Sequence, residues 1–237
     1  VAESHPLAAA GALEVVRHGR NRGLAAAVAT GIDAFLRRSR EPDDVMVTMD
    51  ADDTHDPVYV AGLLERLRAG ADVAICSRFV AGGEERGVSA FRKLLSRGAK
   101  RFMDVLAPIP DVKDISSGYR AYSRAALDRA VRTFGAHLIQ SKGGSVQAEL
   151  LIRAQALGAR VDEIPFTLRY DLKRGPSKLG MAATIKGYFL LRGIRHASIR
   201  EAALMSAGAT SGAACRAPAL KEKKDEKAGP AGGIETK

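Results

Sequence analysis

Val45-Met46-Val47-Thr48-Met49-Asp50-Ala51-Asp52-Asp53-Thr54-His55-Asp56-Pro57 is the stretch on which the fold turns. Its first half is a short apolar, β-branched run, the pattern of a buried strand. Its second half places Asp50 and Asp52 at the carboxyl end of that strand, where open α/β sheets bind ligands. Carboxylates are hard oxygen donors suited to Mg²⁺ or Mn²⁺, ions that keep coordination positions for substrate phosphates. A plainer reading is an acidic turn leading into a helix. Asp56-Pro57 does predict a helix N-terminus, with Asp as cap and Pro in the first turn. Capping accounts for Asp56 and leaves Asp50 and Asp52 without a role.

Working outward, residues 13–18 read as a short strand, and 21–23 as a turn. Leu24, Val28, Ile32 and Phe35 then recur at helical spacing. Beyond Pro57 a helix carrying Leu63, Leu64 and Leu67 stops at Gly70, and residues 72–77 form another buried strand. A Gly-rich loop follows over 78–85, then a helix over about 89–106 in which Arg92 and Ser96, four residues apart, share a face. Residues 118–122 read as a strand and Ser123 as the cap of the next helix. Ser145 opens a further helix ending at Gly158, and 161–170 reads as a strand interrupted by Pro165, hence an edge. Strands alternating with helices predict parallel βαβ units in a layered α/β fold.

The 237 residues, 46% of them hydrophobic, suffice for one medium domain with a core of its own. Cys76 and Cys215 stand far apart with no Cys or His near them in sequence, which excludes a zinc cluster and points to a reducing compartment. No stretch reaches eighteen apolar residues and no signal peptide is visible. The net charge of +10 calls for acidic partners: phosphorylated substrates, an anionic membrane surface or nucleic acid. With aromatic residues at 5%, and those not interleaved with Arg and Lys, no nucleic-acid partner is expected. The basic loop 171–180 leads into a helix over 181–205 whose apolar set, including Phe189, Leu191 and Ile194, alternates with Lys186, Arg192, Arg195 and Arg200. Such a helix can lie on a membrane surface or pack on the domain with its basic face in water. Residues 206–237, small and then highly charged, are expected to be a disordered tail.

Four motifs in order carry a resemblance: the strand ending in Asp50-Ala51-Asp52; a strand ending in Ser77-Arg78 before a Gly-Gly loop; Asp114-Ile115-Ser116-Ser117-Gly118-Tyr119-Arg120; and Arg174-Gly175-Pro176-Ser177-Lys178-Leu179-Gly180. Together they resemble family 2 glycosyltransferases of the dolichol-phosphate (polyprenyl-phosphate) mannosyltransferase type. The resemblance covers roughly residues 13–191. It implies a GT-A fold, a Rossmann-like three-layer α/β sandwich with a mainly parallel sheet, over residues 1–180. It also implies transfer of a sugar from a GDP- or UDP-linked nucleotide-sugar to a polyprenyl (dolichyl) phosphate, at the cytoplasmic face of a membrane.

By that resemblance, Asp50 and Asp52 hold Mg²⁺ or Mn²⁺ against the donor diphosphate, with Thr54 where a third donor can stand. Arg174 and Lys178 reach the diphosphate, and Arg78, Arg92 and Ser96 hold the acceptor phosphate. Asp52, Arg78 and Arg174 are the expected catalytic residues. A phosphate oxygen is anionic at neutral pH, so the nucleophile needs no strong general base. The expected catalysis is alignment and charge neutralisation, for which the planar fork of arginine is suited. His55 is expected to bond locally in the turn, and Asp114 and Glu149 to orient backbone or sugar hydroxyls.

One departure stands at the front. Family members carry two further strands before residue 13, ending in Pro-Thr-Tyr-Asn-Glu-like and Asp-Asp-Gly-Ser-like segments that help hold the nucleotide. Neither is present, which implies a truncated sequence with an exposed sheet edge. Two other readings use part of the sequence. Asp50-Ala51-Asp52-Asp53-Thr54 also fits the DxDxT of haloacid-dehalogenase-type phosphatases, but no later strand ends in the acidic pair that class needs. A non-enzymatic basic protein binding membrane or nucleic acid accounts for the charge and leaves the acidic strand end idle.

Overall fold

The computed structural model describes residues 12–89, 98, 101, 108–173 and 181–209. Among them, helix α1 (Gly23–Arg38) leads to strand β1 (Val45–Thr48). A 3₁₀ turn, Pro57–Tyr59, opens helix α2 (Val60–Arg68), with the Asp56 side chain accepting from the Val58 N–H as its cap. Strands β2 (Val73–Ser77) and β3 (Glu84–Arg86) follow, then β4 (Arg120–Ser123), helices α3 (Arg124–Phe134) and α4 (Ser145–Ala156), strands β5 (Val161–Pro165) and β6 (Thr167–Arg169), and the long helix α5 (Met181–Ala209).

The main sheet has the order β1-β4-β2-β5. β2 pairs with β5 in parallel, while β4 runs antiparallel to both β1 and β2. Three of the four strands thus point the same way, and β4 is the reversed one inserted between β1 and β2. This is the expected Rossmann-like sandwich with a mainly parallel sheet. All five residues of β2 are buried because both faces of the sheet are covered. Val73, Ile75 and Tyr122 face a core built with Ile32, Leu127, Phe134, Leu151, Leu191 and Ile194 from α1, α3, α4 and α5. Ala74, Cys76 and Ala121 face the other way, against Leu63 of α2 and Ile164, Tyr119 and Phe166.

Pro165 ends β5 at the sheet edge, where its missing N–H costs no ladder bond, and the Phe166 N–H bonds to the Ser77 carbonyl instead. The chain then enters β6, which pairs with β3 in a separate parallel ribbon. β3 lies in the stretch read as a Gly-rich loop. Only Gly fits at 83, since a Cβ there would come within 2.6 Å of the Ser77 carbonyl oxygen.

One expected strand does not form. Residues 13–18 are irregular, with Leu13 36% and Val16 51% exposed. Among the described residues β1 pairs with β4 alone, and residues 13–18 do not add to its open edge. The expected helix over 89–106 lies outside the described residues except at 89, 98 and 101, of which 98 and 101 are helical. α5 runs to Ala209, past the expected end at 205 and into what was read as tail. It packs on α4 through Leu191, Ile194, Ser198 and Ala202, and Arg153 joins the two helices, donating to Glu149 and to the Ser198 hydroxyl. No described helix is long and apolar enough to cross a membrane.

Candidate active site

The turn after β1 is held from several sides. The Asp50 N–H donates to His55 Nδ1 at 3.0 Å, so the ring is the tautomer with its proton on Nε2. Burial lowers the His55 pKa against the opposing pull of Asp50 and Asp52, with Arg78 and Lys173 adding to the fall. The imidazole is therefore a neutral acceptor that shapes the loop. It stacks on Tyr119 at 5.0 Å and meets the edge of Phe166, while the Tyr119 hydroxyl donates to the Asp56 carbonyl. Asp53 takes the left-handed conformation that carboxylate and amide side chains tolerate. The local reading of His55 is thus what the structure contains.

Asp52 is oriented by Thr54, whose hydroxyl donates to Oδ1 at 2.5 Å and whose N–H adds a second bond. Thr54 is buried, and its hydroxyl proton is committed to Asp52. On the other oxygen, Lys173 Nζ donates to Oδ2 at 2.7 Å. Burial pushes Asp52 up, but the bonds from Lys173 and Thr54 outweigh it and hold the carboxyl below its usual range. Asp50 Oδ1 has a different neighbour: a Cβ built on Gly118 would stand 3.7 Å from it and 3.5 Å from Gln147 Nε2. Asp50, Gly118 and Gln147 thus meet at one place.

Two carboxylates at a strand end are the donor set of an ion shared with a substrate, since Mg²⁺ and Mn²⁺ take one or two carboxylates and complete their shell with water and phosphate oxygens. Among the described residues no group of three or more His, Cys, Asp or Glu could make an all-protein cage. The residues present therefore fit a divalent ion that is completed by a diphosphate.

The end of β2 is built differently. Arg78 Nε and Nη2 donate to the two oxygens of Asp114 at 2.7 and 2.8 Å, Nη1 donates to Glu85 at 3.1 Å, and Nη2 also reaches the Ser116 hydroxyl. Asp114 is fully buried and further accepts from the N–H groups of Arg78, Ser116 and Ser117. Burial raises the Asp114 pKa, but the Arg78 bonds and charge overcome this and hold it below its usual range. Among the described residues Arg78 is thus paired with two carboxylates, which offset its charge. Beside it, burial pushes the Cys76 thiol up to about 12 and leaves it inert. Glu149, also fully buried, accepts from the N–H groups of Gln140 and Ser141 and pairs with Arg153, a role in holding backbone.

The structure thus gathers Asp50, Asp52 and Thr54 at the end of β1 and sets Arg78 at the end of β2, across β4 but close enough for its charge to act on His55. Arg92, Ser96, Arg174 and Lys178 lie outside the described residues. Sequence reasoning missed Lys173, which lies within the basic loop 171–180 and differs from its other cations by no local signal. It also missed Gln147, whose amphipathic context is hidden because nearly the whole of α4 is buried.

The protein-family model for glycosyl transferase family 2 matches residues 5–130. The chain is 36% identical over 167 residues to a polyprenol monophosphomannose synthase of Mycolicibacterium smegmatis, covering 70% of this chain and 60% of that protein. It is 34% identical over 185 residues to a dolichol-phosphate mannosyltransferase of Pyrococcus furiosus, covering 78% of this chain and 46% of the relative. To an undecaprenyl-phosphate mannosyltransferase of Micrococcus luteus it is 33% identical over 167 residues, 70% of this chain and 65% of the other. The matched region is thus between about half and two thirds of each relative's length. Among solved structures, glucosyl-3-phosphoglycerate synthase of Mycobacterium tuberculosis with phosphoglyceric acid superposes with a TM-score of 0.54 at 21% identity, over 79% of this chain and 63% of that one. The same enzyme with Mn²⁺ and UDP-glucose gives 0.53 at 21% identity, over 79% and 62%. These neighbours share the GT-A fold, and the chain belongs to the family 2 glycosyl transferases.

Proposed function

We propose that the chain moves a sugar from a nucleotide-sugar to a polyprenyl (dolichyl) phosphate in a metal-dependent reaction. The observation that carries this is the two-carboxylate end of β1, a donor set that fits an ion completed by a diphosphate, in a family 2 chain whose matched relatives are named as polyprenyl-phosphate mannosyltransferases. Mg²⁺ or Mn²⁺ bound there supplies neutralisation of the charge that develops on the leaving diphosphate. Asp50 and Asp52 hold the ion and Thr54 fixes the Asp52 rotamer, with one lone pair of its oxygen left for the metal. Arg174 and Lys178 complete the neutralisation of the diphosphate from the basic loop.

On the acceptor side, an anionic phosphate oxygen forms a bond to the anomeric carbon as the bond from that carbon to the diphosphate oxygen breaks. No proton has to be removed from the nucleophile, which agrees with a site whose one histidine is neutral and committed to backbone. Arg78, Arg92 and Ser96 position the phosphate. Arg78 does so only by exchanging Glu85 for it, because the fork on Asp114 is its anchor.

The acceptor's lipid tail requires a membrane surface, and α5 suits one. Phe189, Arg192, His196, Arg200 and Leu204 recur at three- and four-residue spacing and are exposed, opposite the buried set that packs on α4. In this reading the chain is peripheral at the cytoplasmic face. The phosphatase alternative finds no support in the family match. The test is transfer itself: with Mn²⁺, radiolabelled GDP-mannose or UDP-glucose and a short polyprenyl phosphate, the full chain yields a lipid-phosphate sugar, and the Asp52→Ala variant yields none. Release of phosphate from a generic phosphomonoester with no lipid product would refute the proposal.

A further inference from the structure

Gln147 is the least explained polar residue near the site. It stands in the first turn of α4, 7% exposed, and its side-chain Oε1 is buried with no hydrogen-bond partner. Its Nε2 likewise has no partner among the described residues, yet lies 3.5 Å from where a Cβ on Gly118 would be, with Asp50 Oδ1 3.7 Å from that same point. A carboxamide oxygen buried without a partner is costly, and such groups mark a function or a ligand. The residue is also held in place. Arg120, itself fully buried, donates to the Gln147 main-chain carbonyl at 2.6 Å and to the Ile115 carbonyl at 2.7 Å, clamping the first turn of α4 onto β4.

The chemistry of the amide narrows the ligand. A metal ion would use Oε1 and leave the NH₂ idle, whereas a diphosphate, acceptor-only, would use the NH₂ and leave Oε1 orphaned. A hydroxyl donates and accepts, so one hydroxyl, or two adjacent ones, can satisfy both ends. A sugar tethered to a diphosphate at Asp50 brings hydroxyls to this place. We infer that Gln147 is a specificity-determining residue that hydrogen-bonds a hydroxyl of the transferred sugar, with Gly118 kept small to leave room for it. This rests on the donor-site reading above.

The test compares the full chain with its Gln147→Ala variant by calorimetry in Mn²⁺, using four probes: GDP, UDP, GDP-mannose and UDP-glucose. The inference expects the wild type to bind one nucleotide-sugar more tightly than its diphosphate. Gln147→Ala should weaken that nucleotide-sugar roughly tenfold, the loss of one or two hydrogen bonds, and leave the diphosphate unchanged. Gly118→Ala, whose methyl would sit in ordinary contact with both the amide and Asp50, should reproduce the selective loss. It also serves if Gln147→Ala fails to fold. Equal weakening of sugar-linked and sugar-free nucleotides, weakening of neither, or loss of Mn²⁺ binding alone would overturn the inference while the donor site stands. Failure of the wild type to bind any of the four probes would instead overturn the donor-site reading, and the inference with it.

Discussion

The ends of β1 and β2 lie two strands apart on one sheet, both carry acidic residues, and they solve the problem of charge in opposite ways. At β2 the compensation is internal: Asp114 is fully buried and met by a bidentate arginine, three N–H groups and a serine hydroxyl. At β1 it is partial. Asp52 has one lysine and one threonine, and Asp50 Oδ1 lies beside Gly118 and the Gln147 amide, whose oxygen is unpartnered. A carboxylate that the fold has already satisfied is architecture, while one left short of a cation is prepared to receive one. The number of acidic residues at a strand end does not distinguish the two cases; their partners do.

The comparison can be broken most forcefully at Asp114. Asp114→Asn takes from a largely buried guanidinium the carboxylate that it holds with two bonds, and the loss of one partner of a buried pair costs about 3–5 kcal/mol. Denaturant unfolding should register that loss, and a change within experimental scatter would show that the β2 end is not the rigid one. The same pair sets an acid limit. Asp114 titrates below its ordinary value of 3.8 in the folded protein, so the unfolded chain binds its proton first. Its contribution is complete above that pH and is lost as the pH falls through and below it. The acid limb of a stability profile should therefore flatten in Asp114→Asn relative to wild type.

Smaller effects sharpen the contrast at β1. Lys173→Ala removes a partly exposed partner of Asp52 and should change stability by no more than about 1 kcal/mol. It should raise Mn²⁺ affinity a few-fold, because the ion no longer competes with an ammonium, and titration of the Mn²⁺ electron-spin signal reads this directly. The smallest effect is expected for Glu85→Gln, which unbalances the β2 cluster toward positive charge. It should lower the KM for polyprenyl phosphate about two- to threefold if Arg78 exchanges Glu85 for the acceptor, because a neutral amide competes less well than a carboxylate for the guanidinium.

Much of this architecture is written locally. The apolar run before Asp50, the caps at Asp56 and Ser123, and the edge proline at 165 each act within a few residues, and all appear where pattern and propensity place them. What was not legible depends on distant partners. The Arg78–Asp114 fork joins residues 36 apart, and the Lys173–Asp52 pair joins residues 121 apart. Glu84, Glu85 and Arg86 form a strand because β6 offers a ladder, against their own weak propensity. Residues 13–18 have strand-like composition and no ladder among the described residues, and they do not form one. Gln147 looks like an ordinary polar helix residue until α4 is seen to be buried along nearly its whole length.

The central claim is that the β1 end receives a divalent ion together with a diphosphate. It is tested most directly by measuring nucleotide-sugar binding to the full chain and to Asp52→Ala, each with Mn²⁺ and with chelator. Binding by the wild type should require Mn²⁺ and be abolished by the substitution. Binding that is unaltered by chelator, or unaltered in Asp52→Ala, would contradict it.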